Sequence, residues 1–303
     1  MADGFAFPSA GNGALNAAKV AEKPIMPWWG PVSPQSSIYH YGNIDLTGIA
    51  YATDLDKARA LVPEELELMA LPGFPEHAAV NLVFAKYREN DKTGPYMEAF
   101  FAIPVLAQGN PFLYVAAIYV DNDAALTAGR EFGGYPKKMA DIYLQSFGDL
   151  FLGRVSRNDA QRKTADPLFG DFASGSLRRG KKLFDVPLPA DEIPQLEAPY
   201  NLLFPMPTAT GEPQGYILPT IGLRTVPGVG ADAEKVQVHQ LIGTPWLITR
   251  AEVWAGLEPG VDLIPSAEDP LAELLPVRQV LAGYVLRGDM QTDPKDWLLL
   301  AQR

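Results

Sequence analysis

Two runs of aromatic and β-branched residues, 96–103 and 112–120, carry the clearest pattern in the chain. Along the first, Tyr96, Glu98, Phe100 and Ala102 share one face, while Met97, Ala99, Phe101 and Ile103 share the other. Gln108-Gly109-Asn110-Pro111 lies between the runs and predicts the turn of an antiparallel hairpin. Asp121-Asn122-Asp123 then offers caps for a short helix over 124–130, which Gly133-Gly134 and Pro136 end. An earlier helix is predicted near 54–61, where Leu55, Ala58, Leu61 and Val62 share a face and Pro63 stops it. Strand character resumes over 138–144, 236–241, 246–253 and 276–286.

The rest of the chain reads differently. Residues 1–36 are small, Gly/Ala/Pro-rich and weakly patterned, and predict an extended arm lying on the body or on a neighbouring subunit. Residues 155–198 are polar and end in a Pro-rich run, and predict a surface excursion. No repeat, heptad or long amphipathic helix is present. The balance favours a mostly β (α+β) body with a few short helices, as a barrel or paired sheets.

Composition narrows the possibilities. Gly and Pro make up about 18% of the 303 residues, against a usual ~12%, which fits many turns around a real core. The 25 basic and 36 acidic side chains leave a net charge of −11, so nucleic acid is an unsuitable partner. The longest basic cluster, Arg178-Arg179-Gly180-Lys181-Lys182, is too short to offset this. There is no cysteine, hence no disulfide and no thiolate chemistry. The start of the chain has no signal-peptide pattern, and the longest apolar stretch, 112–120, is far short of the ~18 residues that span a bilayer. These features predict a soluble, cytoplasmic protein with no membrane association.

The common motifs are missing. His40, His77 and His239 are not at metal-ligand spacing, and no G-x-S-x-G elbow occurs. Gly228-Val229-Gly230 lacks the strand, helix and third glycine of a dinucleotide site. No cofactor and no metal is therefore expected. What remains is Lys137-Lys138, placed after a rigid Gly-Gly-Tyr-Pro turn between two apolar elements, where a charged amine is costly unless paired or neutralised. Alternation leaves open which lysine points inward. Lys137 goes with Met139, Asp141 and Tyr143, whereas Lys138 goes with Ala140, Ile142 and Leu144. Glu98 is the second candidate, because a carboxylate on an aromatic face either pairs with a cation or serves proton transfer.

Gly129-Arg130-Glu131 followed by Tyr135-Pro136-Lys137-Lys138 resembles the signature of the acetoacetate decarboxylase family. Tyr51-Ala52-Thr53-Asp54 leading to Val62-Pro63-Glu64, the Gly94-to-Glu98 strand, Val238-His239 and Leu275-Pro276-Val277 resemble its other segments in the same order. The likeness spans roughly residues 35–290 and implies one domain over 37–303, a closed antiparallel β-barrel with a few flanking helices, assembled as a homo-oligomer. It also implies that Lys137 forms a Schiff base with a keto acid or ketone, with Glu98 and Lys138 as its catalytic neighbours. Tyr96, Tyr135 and Tyr284 would be substrate contacts. An ordinary lysine, with a reference pKa of ~10.4, is only about 0.04% neutral at pH 7. Burial or a neighbouring cation can raise that fraction, and adjacent strand residues diverge, so burial is the expected cause.

Three positions depart from the family pattern. The arginine that holds the substrate carboxylate aligns with Ile44, a further pocket glutamate falls near Asn81, and the amide of aldolase-like relatives aligns with Gly133. Gly133 is expected to leave room for a larger substrate. The resemblance thus implies a Schiff-base carbon–carbon lyase, most directly a decarboxylase of the acetoacetate type. The alternatives are an aldolase/dehydratase of the same superfamily using pyruvate or a related keto acid, and a non-catalytic barrel binding a hydrophobic carbonyl compound.

Overall fold

A computed structural model of the chain describes residues 38–69, 71–157, 171–188, 206–208, 215–227 and 236–302. The expected N-terminal arm, 1–36, lies outside them. The strands in chain order are β1 (Tyr39–Asp54), β2 (Glu67–Leu68), β3 (His77–Tyr87), β4 (Glu89–Asn90), β5 (Tyr96–Ala107), β6 (Asn110–Val120), β7 (Lys137–Met139) and β8 (Asp141–Phe147). They continue with β9 (Leu150–Ser156), β10 (Asp171–Val186), β11 (Met206–Thr208), β12 (Gly215–Pro227), β13 (Val236–Leu263), β14 (Gln279–Thr292) and β15 (Leu298–Gln302). Among the described residues the α-helices are α1 (Leu55–Leu61), α2 (Asp123–Glu131) and α3 (Leu271–Leu274), with one 3-10 turn at Pro294–Asp296. The fold is mostly β with few helices, as the sequence pattern predicts. None of the described helices is long and apolar enough to cross a membrane.

The strand pairings return on themselves. Hydrogen-bonded neighbours run β12–β6–β5–β3–β1–β14–β13, and β13 pairs back onto β12. The ring is not wholly antiparallel, because β6 runs parallel to both β12 and β7. One buried cluster draws residues from all seven ring strands, among them Leu46, Val83, Phe100, Val115, Leu218, Val253 and Leu286, and so fills the inside of the ring. A second cluster covers the outside. There Val80, Leu82, Phe84 and Phe101 pack against Ala58 and Val62 at α1, Ile142 and Leu144 of β8, and Leu271.

The predicted hairpin forms, with a tighter turn than expected. Ala107 pairs with Asn110, leaving only Gln108 and Gly109 in the turn, at φ 51° and 79°. Two successive positive φ angles match the twist of the flanking strands. The helix α2 begins where the caps predict it, with Asn122 Oδ1 accepting from Ala125 N at 2.8 Å.

Two stretches differ from the sequence pattern. The separate strands expected over 236–241 and 246–253 are one 28-residue strand, β13. Gly243-Thr244-Pro245 reads as a break, yet Pro245 faces Pro219 of β12 and on its other edge sits between the stretch bonded to β15 and the stretch bonded to β14. Within the expected surface excursion, 171–186 is instead the strand β10, paired with β9 and β13. Phe172, Ala173, Leu177, Phe184 and Val186 are buried, while its basic residues are covered by ion pairs such as Arg178 with Asp149 and Lys182 with Glu252. The charged residues mask the apolar alternation. Residues 158–170 and 189–198 lie outside the described residues.

Candidate active site

The loop that carries the lysine pair is built on its glycines. Gly134 takes φ 68°, a left-handed conformation that favours glycine, and a Cβ there would stand 2.7 Å from Arg224 N on β12. The turn is tied back to α2 by Tyr135 N donating to Gly129 O at 3.0 Å. From there β7 runs beside β6, which places Lys137 opposite Ile118 and Lys138 opposite Tyr119. Ile118 belongs to the inner cluster and Tyr119 to the outer one.

The two lysines therefore part. Lys137 is 6% exposed and points into the ring, where its Nζ donates to Glu98 Oε2 at 2.7 Å. Lys138 points out of the ring and donates to Asp269 Oδ1 at 2.7 Å. This is the divergence expected of adjacent strand residues, and it leaves Lys138 outside the wall of the cavity that holds the Lys137 amine. Asp269 is itself buried and also accepts from Arg157 Nη1 at 2.8 Å and Tyr119 OH at 2.9 Å. The sequence left the inward lysine undecided because alternation breaks at Met139 and Ala140. The buried residues of β8 pack on the outside of the ring, whereas Lys137 enters it.

Lys137 and Glu98 face a cavity of about 70 Å³ whose wall includes eight aromatic side chains. Tyr96 and Tyr135, both expected, are in its wall, and the Tyr96 ring centroid is 5.6 Å from Lys137 Nζ. The wall also holds Tyr39, Tyr41, Tyr87, Trp246 and Trp297, which no pattern along the chain groups together. Tyr87 OH donates to Glu98 Oε1 at 3.2 Å, so both carboxylate oxygens are engaged. Tyr87 packs on Tyr96 and Tyr41 with ring centroids 4.7 and 5.1 Å away. Burial pushes the Tyr41, Tyr87 and Tyr96 hydroxyls well above the ordinary phenol range, and the nearby charge of Glu98 adds to it. Tyr135 OH lies 2.7 Å from Thr220 Oγ1, which also accepts from Trp246 Nε1 at 2.9 Å.

Other expected positions fall outside this cavity. Tyr284 is buried inside the ring against Gly48, and borders an adjoining apolar void rather than the lysine cavity. Ile44 is 2% exposed and packs in the inner cluster. Asn81, opposite Ala102, is buried two pairing steps beyond the wall residue Phe100, and its side-chain amide has no hydrogen-bond partner among the described residues. Gly133 does line the cavity, but it leaves no spare room. A Cβ there would stand 2.5 Å from Tyr135 Cε2, so that ring occupies the space. Glu98 and Lys137 are the only Asp, Glu, Lys, Arg or His side chains in the described wall. No cluster of three His, Cys, Asp or Glu that could hold a metal occurs among the described residues.

The sequence profile of the family described as Acetoacetate decarboxylase (ADC) matches residues 24–166. An acetoacetate decarboxylase of Ralstonia nicotianae is 37% identical over 130 residues, 43% of this chain and 49% of that protein. One from Paraburkholderia phytofirmans is 28% identical over 266 residues, covering 86% and 88% of the two chains. One from Paraburkholderia xenovorans is 30% identical over 189 residues, covering 62% and 67%. The match thus spans about half the length of the first relative and more of the others. An acetoacetate decarboxylase structure from Legionella pneumophila superposes with a TM-score of 0.66 at 20% identity, covering 94% and 96% of the two chains. The enduracididine biosynthesis enzyme MppR, complexed with pyruvate, superposes with a TM-score of 0.60 at 15% identity, covering 88% and 91%. At such identities these two likenesses are of fold. The chain belongs to the acetoacetate decarboxylase family.

Proposed function

We propose that this chain is a Schiff-base-forming carbon–carbon lyase acting on a small keto acid, with Lys137 as the nucleophile. The observation that carries this reading is a buried amine on a cavity wall, 2.7 Å from a carboxylate that can hold its proton. The free amine adds to the substrate carbonyl, its proton passes to Glu98, and loss of water leaves an iminium on Lys137. That cation is an electron sink. The bond to the carboxylate carbon breaks, CO₂ departs, and the electron pair moves into the iminium to form an enamine. Return of a proton to carbon and addition of water then release the ketone and restore the amine. The tyrosine-rich wall keeps bulk water from competing for the pair. We take the ring of strands as the wall of a closed barrel around this cavity, and the molecule as a homo-oligomer whose size sedimentation would measure.

A second reading, aldol addition or cleavage with dehydration through the same iminium, draws on one observation. No second cation stands in the described wall to hold a substrate carboxylate, because Ile44 is packed in the apolar core. The pyruvate complex of MppR, a protein of similar fold, is compatible with it.

The test is to incubate the protein with acetoacetate or pyruvate, reduce with borohydride, and locate the adduct by peptide mass. An adduct on Lys137 supports the lyase reading. No adduct, with Lys137→Ala indistinguishable from the unmodified protein, would sink it in favour of a non-catalytic carbonyl binder. CO₂ release from acetoacetate, as against enone formation from pyruvate and an aldehyde, then divides the two chemistries.

A further inference from the structure

We propose that the lysine cavity continues into an apolar annex that receives a short unbranched alkyl tail on the carbonyl substrate; this rests on the Schiff-base reading above. Leu46, Leu218 and Met290 belong to both the cavity wall and the wall of the neighbouring void. Beyond them the void is bounded by Ile44, Ile248, Leu286 and Tyr284, all buried. Its one charged neighbour, Asp289, is turned to other partners: Arg250 Nε at 2.6 Å and Asn43 N at 2.9 Å.

The void holds about 10 Å³, on the order of one water-sized sphere. A space of that size lined mainly by aliphatic side chains has too few polar partners to order a water. It suits hydrocarbon, and a carboxylate there would be buried with no cation in the described lining. Met290 stands on the shared wall, and its unbranched thioether can shift to lengthen the passage. Ile44 is thus a wall of the annex. The ligand class is a ketone or keto acid whose carbonyl reaches Lys137 while an aliphatic tail points toward Ile248.

The experiment uses the full chain and the straight-chain methyl ketones from acetone to methyl butyl ketone. Borohydride-trapped adduct at Lys137 is measured by peptide mass, and non-covalent affinity by quenching of tryptophan emission. Both are expected to rise about fourfold per added methylene. Ile248→Trp should abolish that gain, and Ile248→Ala should move the preferred tail to a longer one. The alanine variant carries the test if the tryptophan variant does not fold. An adduct whose yield ignores tail length, unchanged by Ile248→Ala, overturns the annex and leaves the Schiff base standing. Quenching that rises with tail length without any adduct retains the annex and removes the Schiff base. Neither effect with any ketone overturns both.

Discussion

Lys137 Nζ and Glu98 Oε2 stand 2.7 Å apart, with both side chains more than nine-tenths buried. Ammonium with carboxylate and amine with carboxylic acid are both net neutral arrangements. A proton can therefore cross this gap without placing a net charge in the cavity, where a lone charge would be costly. Glu98→Gln keeps the shape and removes the proton acceptor. Formation of the borohydride-trapped adduct is expected to slow by roughly 10²–10⁴, and Lys137→Ala to give no adduct at that position. Equal rates for Glu98→Gln and the parent would remove Glu98 from the chemistry.

Gly129 makes room for the stem of Lys137. A Cβ at 129 would lie 2.4 Å from Lys137 Cε and 2.5 Å from Cδ, and the flexible lysine is what would move. Alanine also suits a helix better than glycine by about 1 kcal/mol. Gly129→Ala should therefore keep or slightly raise the melting temperature while trapping at Lys137 falls at least about tenfold, the factor for roughly 1.4 kcal/mol. Adduct formation at the parental rate would show that the stem position is not critical.

Asp269 gives a dependence on acid. Burial opposes its ionisation, but hydrogen bonds from Lys138, Tyr119 and Arg157 outweigh that and hold the carboxyl below its ordinary value. The stability it contributes is whole above the unfolded value of ~3.9 and is lost as pH falls through the lower folded value. Asp269→Asn removes the carboxylate that Lys138 and Arg157 share, and because both cations are partly exposed the loss is expected to be about 1.5–3 kcal/mol at neutral pH. Its stability should then vary less with pH below about 4 than the parent's. Thermal unfolding followed from pH 7 to 3 would read both effects.

Alkaline behaviour should be as marked. Burial is the largest cause of the upward shift at Tyr41, Tyr51, Tyr87, Tyr96, Tyr119 and Tyr284. A raised folded value means that stability is whole below the unfolded phenol value near ~10 and is lost as pH rises above it, by about 1.4 kcal/mol per pH unit for each such group. Phenolate absorbance should therefore appear cooperatively with loss of near-ultraviolet dichroism above pH ~10. A gradual titration with the dichroism intact would contradict the burial of these hydroxyls.

What the sequence made legible was local. The hairpin of β5 and β6, the cap of α2 at Asn122, and the shared face of Tyr96, Glu98 and Phe100 follow from period-two alternation and turn chemistry, and each is present. The gathering of Tyr41, Tyr87 and Trp246 around Glu98 was not legible, because they come from three strands brought together by closure of the ring. Strand β10 was hidden by ion-paired residues on its exposed side. The inward lysine was hidden by a change of face between β7 and β8. Periodicity assumes that one buried side stays buried, and here the chain passes from the inside of the ring to its outer cover within three residues.

The partners of the two adjacent lysines lie in opposite directions along the chain. Glu98 precedes Lys137 by 39 residues, whereas Asp269 follows Lys138 by 131. The region matched by the family profile, 24–166, contains Lys137, Lys138 and Glu98 but not Asp269, Thr220, Trp246 or the strands β12, β13 and β14. A chain emerging in order from N to C would therefore carry its reactive groups for about eighty residues before Leu218 and Thr220, the first of the later wall residues, are made. The amine becomes enclosed only once the last third of the chain has docked, so the site matures as a late event of folding.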